Sequence, residues 1–431
     1  IVGSPNAVTV LDEAIRLWDA RFLVLEYLRS TGGEDERKLL LADLLKTEGV
    51  SLPRVLQIIE RLPPPLPPRP IADGEQPTLD VLDAWGQVRQ QYTVSLPKEY
   101  SPQHHYPLLV VLHAGGLTPA QELTLWAGNA DQAGPAQARG YITIAPHYAE
   151  EGDLTYGYDS EAHAAVLESV NDARRRFRID SDRVYLAGHG MGGDACFDLG
   201  MSHPGIFAGI VPIGGVIDRF SRYYELNDPQ AAWYVVSGEL TGDNRGMTLE
   251  LNAPYLNQMM RAKQDVIYCE YKKRGFETYF EEFGRIFDWL AVHRRAPQPT
   301  DLGVDRRNSG GFRLLRPFDT RCHWLEITGL PEKLSEPVLW ESRPLRVQPM
   351  TIDASVTASE SLNTFYIKHP GSHATLWLSP ELVNFDQRIK VSHKGSGNAF
   401  FDFVSPDIGV LLEDLRVRGD RQRLYWAKVE L

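Results

Sequence analysis

Between about Leu79 and Arg295 the chain alternates short apolar runs with amphipathic stretches, and no other feature restricts its fold so strongly. The runs YTVSLP, PLLVVLHA, YITIAP, RVYLAG, FAGIVPI, AWYVVSG and DVIYCEY are close to continuous in apolar residues. A strand buried on both faces reads that way, whereas a strand with one wet face alternates. Helical patterns fall between the runs. In SEAHAAVLESVNDARRRF, Ala162, Val166, Val170, Ala173 and Phe177 recur at steps of three and four and share one face. The alternation predicts an α/β domain over residues 79–296, built on a doubly wound, mostly parallel sheet covered on both sides.

The flanks read differently. VLDEAIRLWDARFLVLEYL and ERKLLLADLLKTEG carry helical periodicity, the second ending at Gly49, so residues 1–62 are expected to be a helical segment. RLPPPLPPRP cannot continue a helix, and residues 63–78 are read as a stiff proline-rich linker. After Ala296–Pro299 the helical signals fade. RCHWLEITG, LNTFYIKH, HATLWLSP and QRIKVSHK are short, partly alternating and separated by turn residues, which predicts an all-β, sandwich-like domain over residues 300–431.

Charge and composition exclude several roles. A formal net charge of -12 repels nucleic acid on average. The run Arg174 to Arg176 is read as a solvated helix face. Three scattered cysteines show neither a disulfide framework nor zinc-ligand spacing. No run approaches the ~18 apolar residues of a membrane span. The chain opens IVGSPNAV, without methionine or a signal-peptide pattern, and reads as a portion of a longer protein; its compartment stays unassigned.

The stretch GHGMGG, Gly188 to Gly193, carries two incompatible meanings. Taken literally it is G-x-G-x-x-G, a dinucleotide-binding turn. Such a fingerprint belongs to the first strand of its fold and wants an acid at the end of the next strand. Here at least three strands precede it, and the next one ends in PIGG, with Asp218 beyond the expected place. The other template is G-x-S-x-G, the nucleophile elbow, with glycine in the serine's place. Upstream, the strand PLLVVLHA runs into HAGG, His113 to Gly116, where glycines would let backbone N–H groups approach a developing oxyanion.

With GGDACFDLGMSHPGIFAGIVPIGG following the elbow, the region from about Tyr92 to Arg295 resembles the α/β-hydrolase superfamily, in its esterase, carboxylesterase and prolyl-oligopeptidase-like branches. The resemblance implies a serine at the elbow, then an acid, then a histidine. The serine position falls on Gly190. The acid should lie in GELTGDN, where Asp243 is the candidate. The histidine position falls on Phe276, which neither takes nor gives a proton. His293 lies in or beyond the last helix and is poorly placed to substitute, and Cys196 reads as a small core residue. The resemblance further implies an oxyanion loop and pocket lined by His113, Ala114, Gly115, Gly116, His147, His189 and Met191.

Three imidazoles after parallel strands, His113, His147 and His189, raise the question of zinc, yet no two lie at a short ligand spacing, and neither metal nor cofactor is expected. Arg418-Gly419-Asp420 matches an integrin-binding tripeptide by coincidence of composition. The leading expectation is a non-catalytic protein on this scaffold, binding a small molecule or a protein. The alternatives are an atypical esterase or peptidase with an unrecognised nucleophile, and a dinucleotide-binding protein. Phe276 is expected to fill the space left at Gly190 as a buried ring, at ~3–5 kcal/mol.

Overall fold

In a computed structural model, residues 11–243, 246–304, 310–334, 348–359, 362–369, 371–393 and 397–431 are described. All seven expected strands of the central region form, and an eighth, outside the apolar runs, joins them as an edge hairpin. The strands are β1 (Thr78–Leu82), β2 (Val88–Ser95), β3 (Tyr106–Leu112), β4 (Ile142–Pro146), β5 (Ile179–His189), β6 (Gly209–Ile213), β7 (Ala232–Gly238) and β8 (Val266–Tyr271). Their order across the sheet is β1-β2-β4-β3-β5-β6-β7-β8. β2 runs antiparallel to both neighbours, and the remaining pairs are parallel. This is the α/β-hydrolase arrangement, and it places β3 and β5 side by side at the centre.

Helices cover both faces, as continuous apolar strands require. On one side lie α6 (Ser160–Arg176), α7 (Met191–Ser202) and α8 (Thr248–Arg261); on the other lie α4 (Pro119–Ala127), α5 (Pro135–Ala138) and α9 (Phe280–Val292). Successive residues of β3 divide between them: Leu108, Val110 and Leu112 enter the first core, Leu109 and Val111 the second. The predicted face of α6 is buried throughout, Ala162, Val166, Val170, Ala173 and Phe177 included.

The helical segment comprises α1 (Leu11–Arg29), α2 (Glu34–Lys46) and α3 (Leu52–Arg61). Its core residues Val24, Leu28, Val55 and Ile59 pack with Leu411, Leu412 and Leu415 of α10 (Ile408–Arg418). That helix corrects the expectation of an all-β C-terminal region, since its apolar residues face α1 and α3 and not a sheet. The proline run packs closely as well. Proline offers carbonyls without N–H groups, and arginines collect them: Arg178 donates to the carbonyl of Leu62 at 2.6 Å, and Arg421 to those of Leu62 and Pro63 at 2.5 and 2.8 Å.

Among the described residues, the C-terminal region carries two sheets, of six and four strands, sharing one core in which Phe312, Ile352, Phe365 and Val391 meet Leu325, Leu376 and Val429. It is keyed to the central region by buried ions. Arg316 is held in a fork by Asp198 of α7 (2.8 and 2.9 Å), by Asp319 (2.9 Å) and by the Ser202 hydroxyl (2.7 Å). The Tyr224 hydroxyl donates to Asp319 at 2.8 Å. No helix among the described residues is long and apolar enough to cross a membrane.

Candidate functional site

The elbow is present, and its geometry explains the glycines. Gly190 joins β5 to α7 at φ 55°, ψ −116°, a conformation that L side chains rarely adopt. Its N–H donates to the carbonyl of Ile213 at 2.8 Å, and its own carbonyl accepts from Asp194 N–H at 3.0 Å, which starts the helix. Gly192 lies so close to the end of β3 that a Cβ there would collide with the Leu112 backbone, and one on Gly193 would lie 2.8 Å from Gly215 Cα. Close packing of the turn therefore accounts for the glycines without a dinucleotide.

Phe276 stands over the elbow from the loop after β8. A Cβ on Gly190 would lie 3.1 Å from Phe276 Cζ, 3.4 Å from its Cε2 and 3.6 Å from Ala114 Cβ. One on Gly214 would lie 2.8 Å from the same ring. The direction expected for Phe276 is correct, but the burial is not. The side chain is 52% exposed, so it lies against Gly190 and Gly214 as a cap on the elbow and does not plug it. The atoms nearest a side chain placed at 190 would thus belong to Phe276 and Ala114, neither of which can attack a carbonyl or carry a proton.

The HAGG loop is tied down from the side. Tyr148 donates its hydroxyl to the His113 carbonyl at 2.7 Å, and Gly116 N–H donates to the Asp153 carbonyl at 3.1 Å. Gly115 lies against Leu154, whose backbone would sit 2.9 Å from a Cβ there. His113 is buried, with Nδ1 3.0 Å from the Ala114 carbonyl and Nε2 without a partner; burial pushes its pKa below the ordinary imidazole value.

The other expected pocket residues disperse. His189 is corrected from a pocket-lining group to an interior one: it is 2% exposed, with Nδ1 2.7 Å from Glu122 of α4, and Trp126 donates to the same carboxylate oxygen at 2.8 Å. Strand alternation turns it to the face opposite α7. Met191, the first residue of α7, is buried in the core on the α7 face. His147 faces a separate cleft of about 870 Å³ lined by Glu150, Glu151, Asp153, Asp159 and Glu161, with Nε2 3.3 Å from Thr93 Oγ1. Burial lowers its pKa also. The Asp243 side chain lies outside the described residues. His293 caps α9 and meets Asp265 at 2.9 Å, away from the elbow. Cys196 is fully buried.

His113, His147 and His189 form no ligand cluster among the described residues; the one such group is His163, His203 and Asp319, with ligand atoms within 4.8 Å. The two imidazoles face each other at 2.7 Å, and Asp319 pairs with Arg316. The reading of Arg174 to Arg176 as a solvated face is overturned. Arg174 is 6% exposed, while Arg175 and Arg176 fold back onto Asp172 at 3.4 and 2.5 Å. The C-terminal region covers the end of α6, which a single helix's pattern cannot reveal. Asp420 of the Arg-Gly-Asp tripeptide is buried against Arg295 at 2.6 Å.

Sheet order, elbow and crossover define an α/β-hydrolase scaffold. Neither a family model nor a curated relative matches the chain. Solved structures that are similar include a thermostable esterase, at 20% identity and TM-score 0.42, over 52% of this chain and 64% of that one. The S-formylglutathione hydrolase of Staphylococcus aureus is similar at 15% identity and TM-score 0.37, over 50% of this chain and 98% of its own. Dipeptidyl peptidase 4 of Porphyromonas gingivalis is similar at 13% and 0.38, over 52% and 36%. The chain thus spans less than two thirds of the esterase and of the peptidase.

Proposed function

We propose that this chain is a non-catalytic protein on an α/β-hydrolase scaffold that works by binding, with units at residues 1–62, 63–78, 79–296 and 300–431. The observation that carries the reading is the exclusion at the elbow: a serine side chain at 190 and the Phe276 ring claim the same space, with Cβ already 3.1 Å from Cζ. Two of the three positions that hydrolysis needs therefore hold groups without acid, base or nucleophile chemistry.

A capped elbow favours protein contacts over a small ligand in the old cleft. α1 supplies a surface for them, since Leu11, Ile15, Trp18 and Phe22 recur at helical spacing and are all exposed. Contiguous apolar surface of that kind marks interaction sites in soluble proteins. The rival is an atypical esterase or peptidase. Assay with p-nitrophenyl acetate and butyrate separates the two. The expected result is no turnover above buffer. Turnover that disappears on changing one residue beside the elbow would establish the rival.

A further inference from the structure

Where the central sheet, α10 and the C-terminal β region meet, a cavity of about 290 Å³ opens between the end of α6 and the loop after α7. Five arginines line it: Arg174, Arg295, Arg321, Arg418 and Arg423. The only carboxylate in the wall is Asp420. Two more stand just behind it. Asp182 takes Arg295 at 2.9 Å, and Asp414 takes Arg418 through a 2.6 Å bond and Arg321 at 3.9 Å. Asp228, also buried nearby, spends its carboxylate on the N–H groups of Gly205 and Gln230 at 2.9 and 3.2 Å. Those N–H bonds leave its charge in place, so five guanidiniums stand against four carboxylates, with one positive charge in excess.

Two of the guanidiniums have no carboxylate bonded to them. Arg423 donates only to carbonyls, those of Ala296 (2.5 Å) and Gly205 (3.5 Å). Arg174, nine-tenths buried, has no hydrogen-bond partner for Nε or Nη2, and burial with the neighbouring Arg295 and Arg418 pulls its pKa down to about 10 against the attraction of Asp420. His323, equally buried in the same wall, has an unpartnered Nδ1. Helix C-termini converge here, and their dipoles offset part of the positive charge. They supply no acceptor to those N–H groups. A buried guanidinium left without acceptors is costly, so an acceptor-rich anion is the missing partner.

We propose that this cavity is a binding site for a phosphoryl dianion, carried by inorganic phosphate or by a small phosphate monoester. Phosphate oxygens supply the acceptors that Arg174 lacks, and the planar forks of Arg174 and Arg423 suit bidentate contact with them. The volume holds about ten waters' worth of ligand, enough for phosphate with a small organic group. Leu167, Val170 and Phe318 give that group an apolar wall. The site lies at the C-terminal end of α7 and the elbow at its start, about 18 Å away for twelve residues. It is independent of what the elbow does.

The test uses the whole chain, titrated with inorganic phosphate and with phenyl phosphate at constant ionic strength, read by calorimetry and by the thermal midpoint. Chloride serves as the control. Saturable binding with a raised midpoint is expected, and about tenfold or greater weakening in Arg174→Gln. Preference for phenyl phosphate assigns a monoester; equal affinity assigns the free ion. Should Arg174→Gln fail to fold, Arg321→Gln at the half-buried rim is read instead, with weakening expected there also. No saturable binding in the wild type, or equal affinity in the folded variant, overturns the proposal.

Discussion

The two ends of α7 are built on opposite terms. At its start, where a hydrolase of this fold concentrates its polar chemistry, stand Gly190, Ala114 and a half-exposed Phe276. Toward its end, Asp198 and Ser202 enter a buried network with Arg316, Asp319, His163 and Tyr224. One end presents apolar groups and backbone, and the other commits buried charges to holding the β region on. On the proposed reading, the scaffold keeps its assembly and not turnover.

The largest effect is expected at the charged end. Arg316→Met leaves Asp198 and Asp319 buried without their cation, which costs about 3–5 kcal/mol in denaturant unfolding. A loss below about 1 kcal/mol would show the network to be replaceable. The same end sets an acid limit. Burial alone would raise the Asp198 pKa, but Arg316 and His163 outweigh it and hold the carboxyl well below its usual range. A depressed folded pKa contributes stability above the unfolded value of about 3.9, lost as pH falls further below it. Unfolding free energy should therefore drop below about pH 4 in the wild type. In Arg316→Met the slope should be shallower.

Next comes the elbow. Gly190→Ser meets a backbone strain of about 1–3 kcal/mol and must also push Phe276 aside. Phe276→Ala should cost less than a buried aromatic, about 1–2 kcal/mol, because half of the ring is already in water. The two changes should couple. The double variant is expected to be more stable than the sum of the singles by about 0.5 kcal/mol or more, since the alanine makes room for the serine. Strict additivity would mean the ring does not rest on the elbow.

The apolar periodicity of β2 to β8 and of α6 made the sheet legible, because burial on both faces writes itself into every residue of such a strand. The elbow was legible too, as glycines at spacings that permit one turn. Other features had no local signature. β1 alternates weakly as an edge strand, and α10 is apolar on the side that meets α1 and α3 across the chain. The pairing of Asp198 with Arg316 joins residues 118 apart in sequence, and nothing in either neighbourhood announces it. The burial of Arg174 has the same cause: three basic residues in a row look solvated until another region covers them. His189 went astray on one ambiguity, since an elbow's second residue can face either layer, and Glu122, its partner, carries no motif.

The central claim, that the elbow is a hydrolase turn capped in place of its chemistry, is tested most directly by ester hydrolysis across three proteins. Wild type and Gly190→Ser should both leave p-nitrophenyl acetate at the buffer rate, the first for want of a nucleophile and the second for want of a base. Gly190→Ser with Phe276→His should exceed both, by about a hundredfold if the imidazole reaches the serine as a general base. An active wild type, or a single variant as fast as the double, contradicts the account.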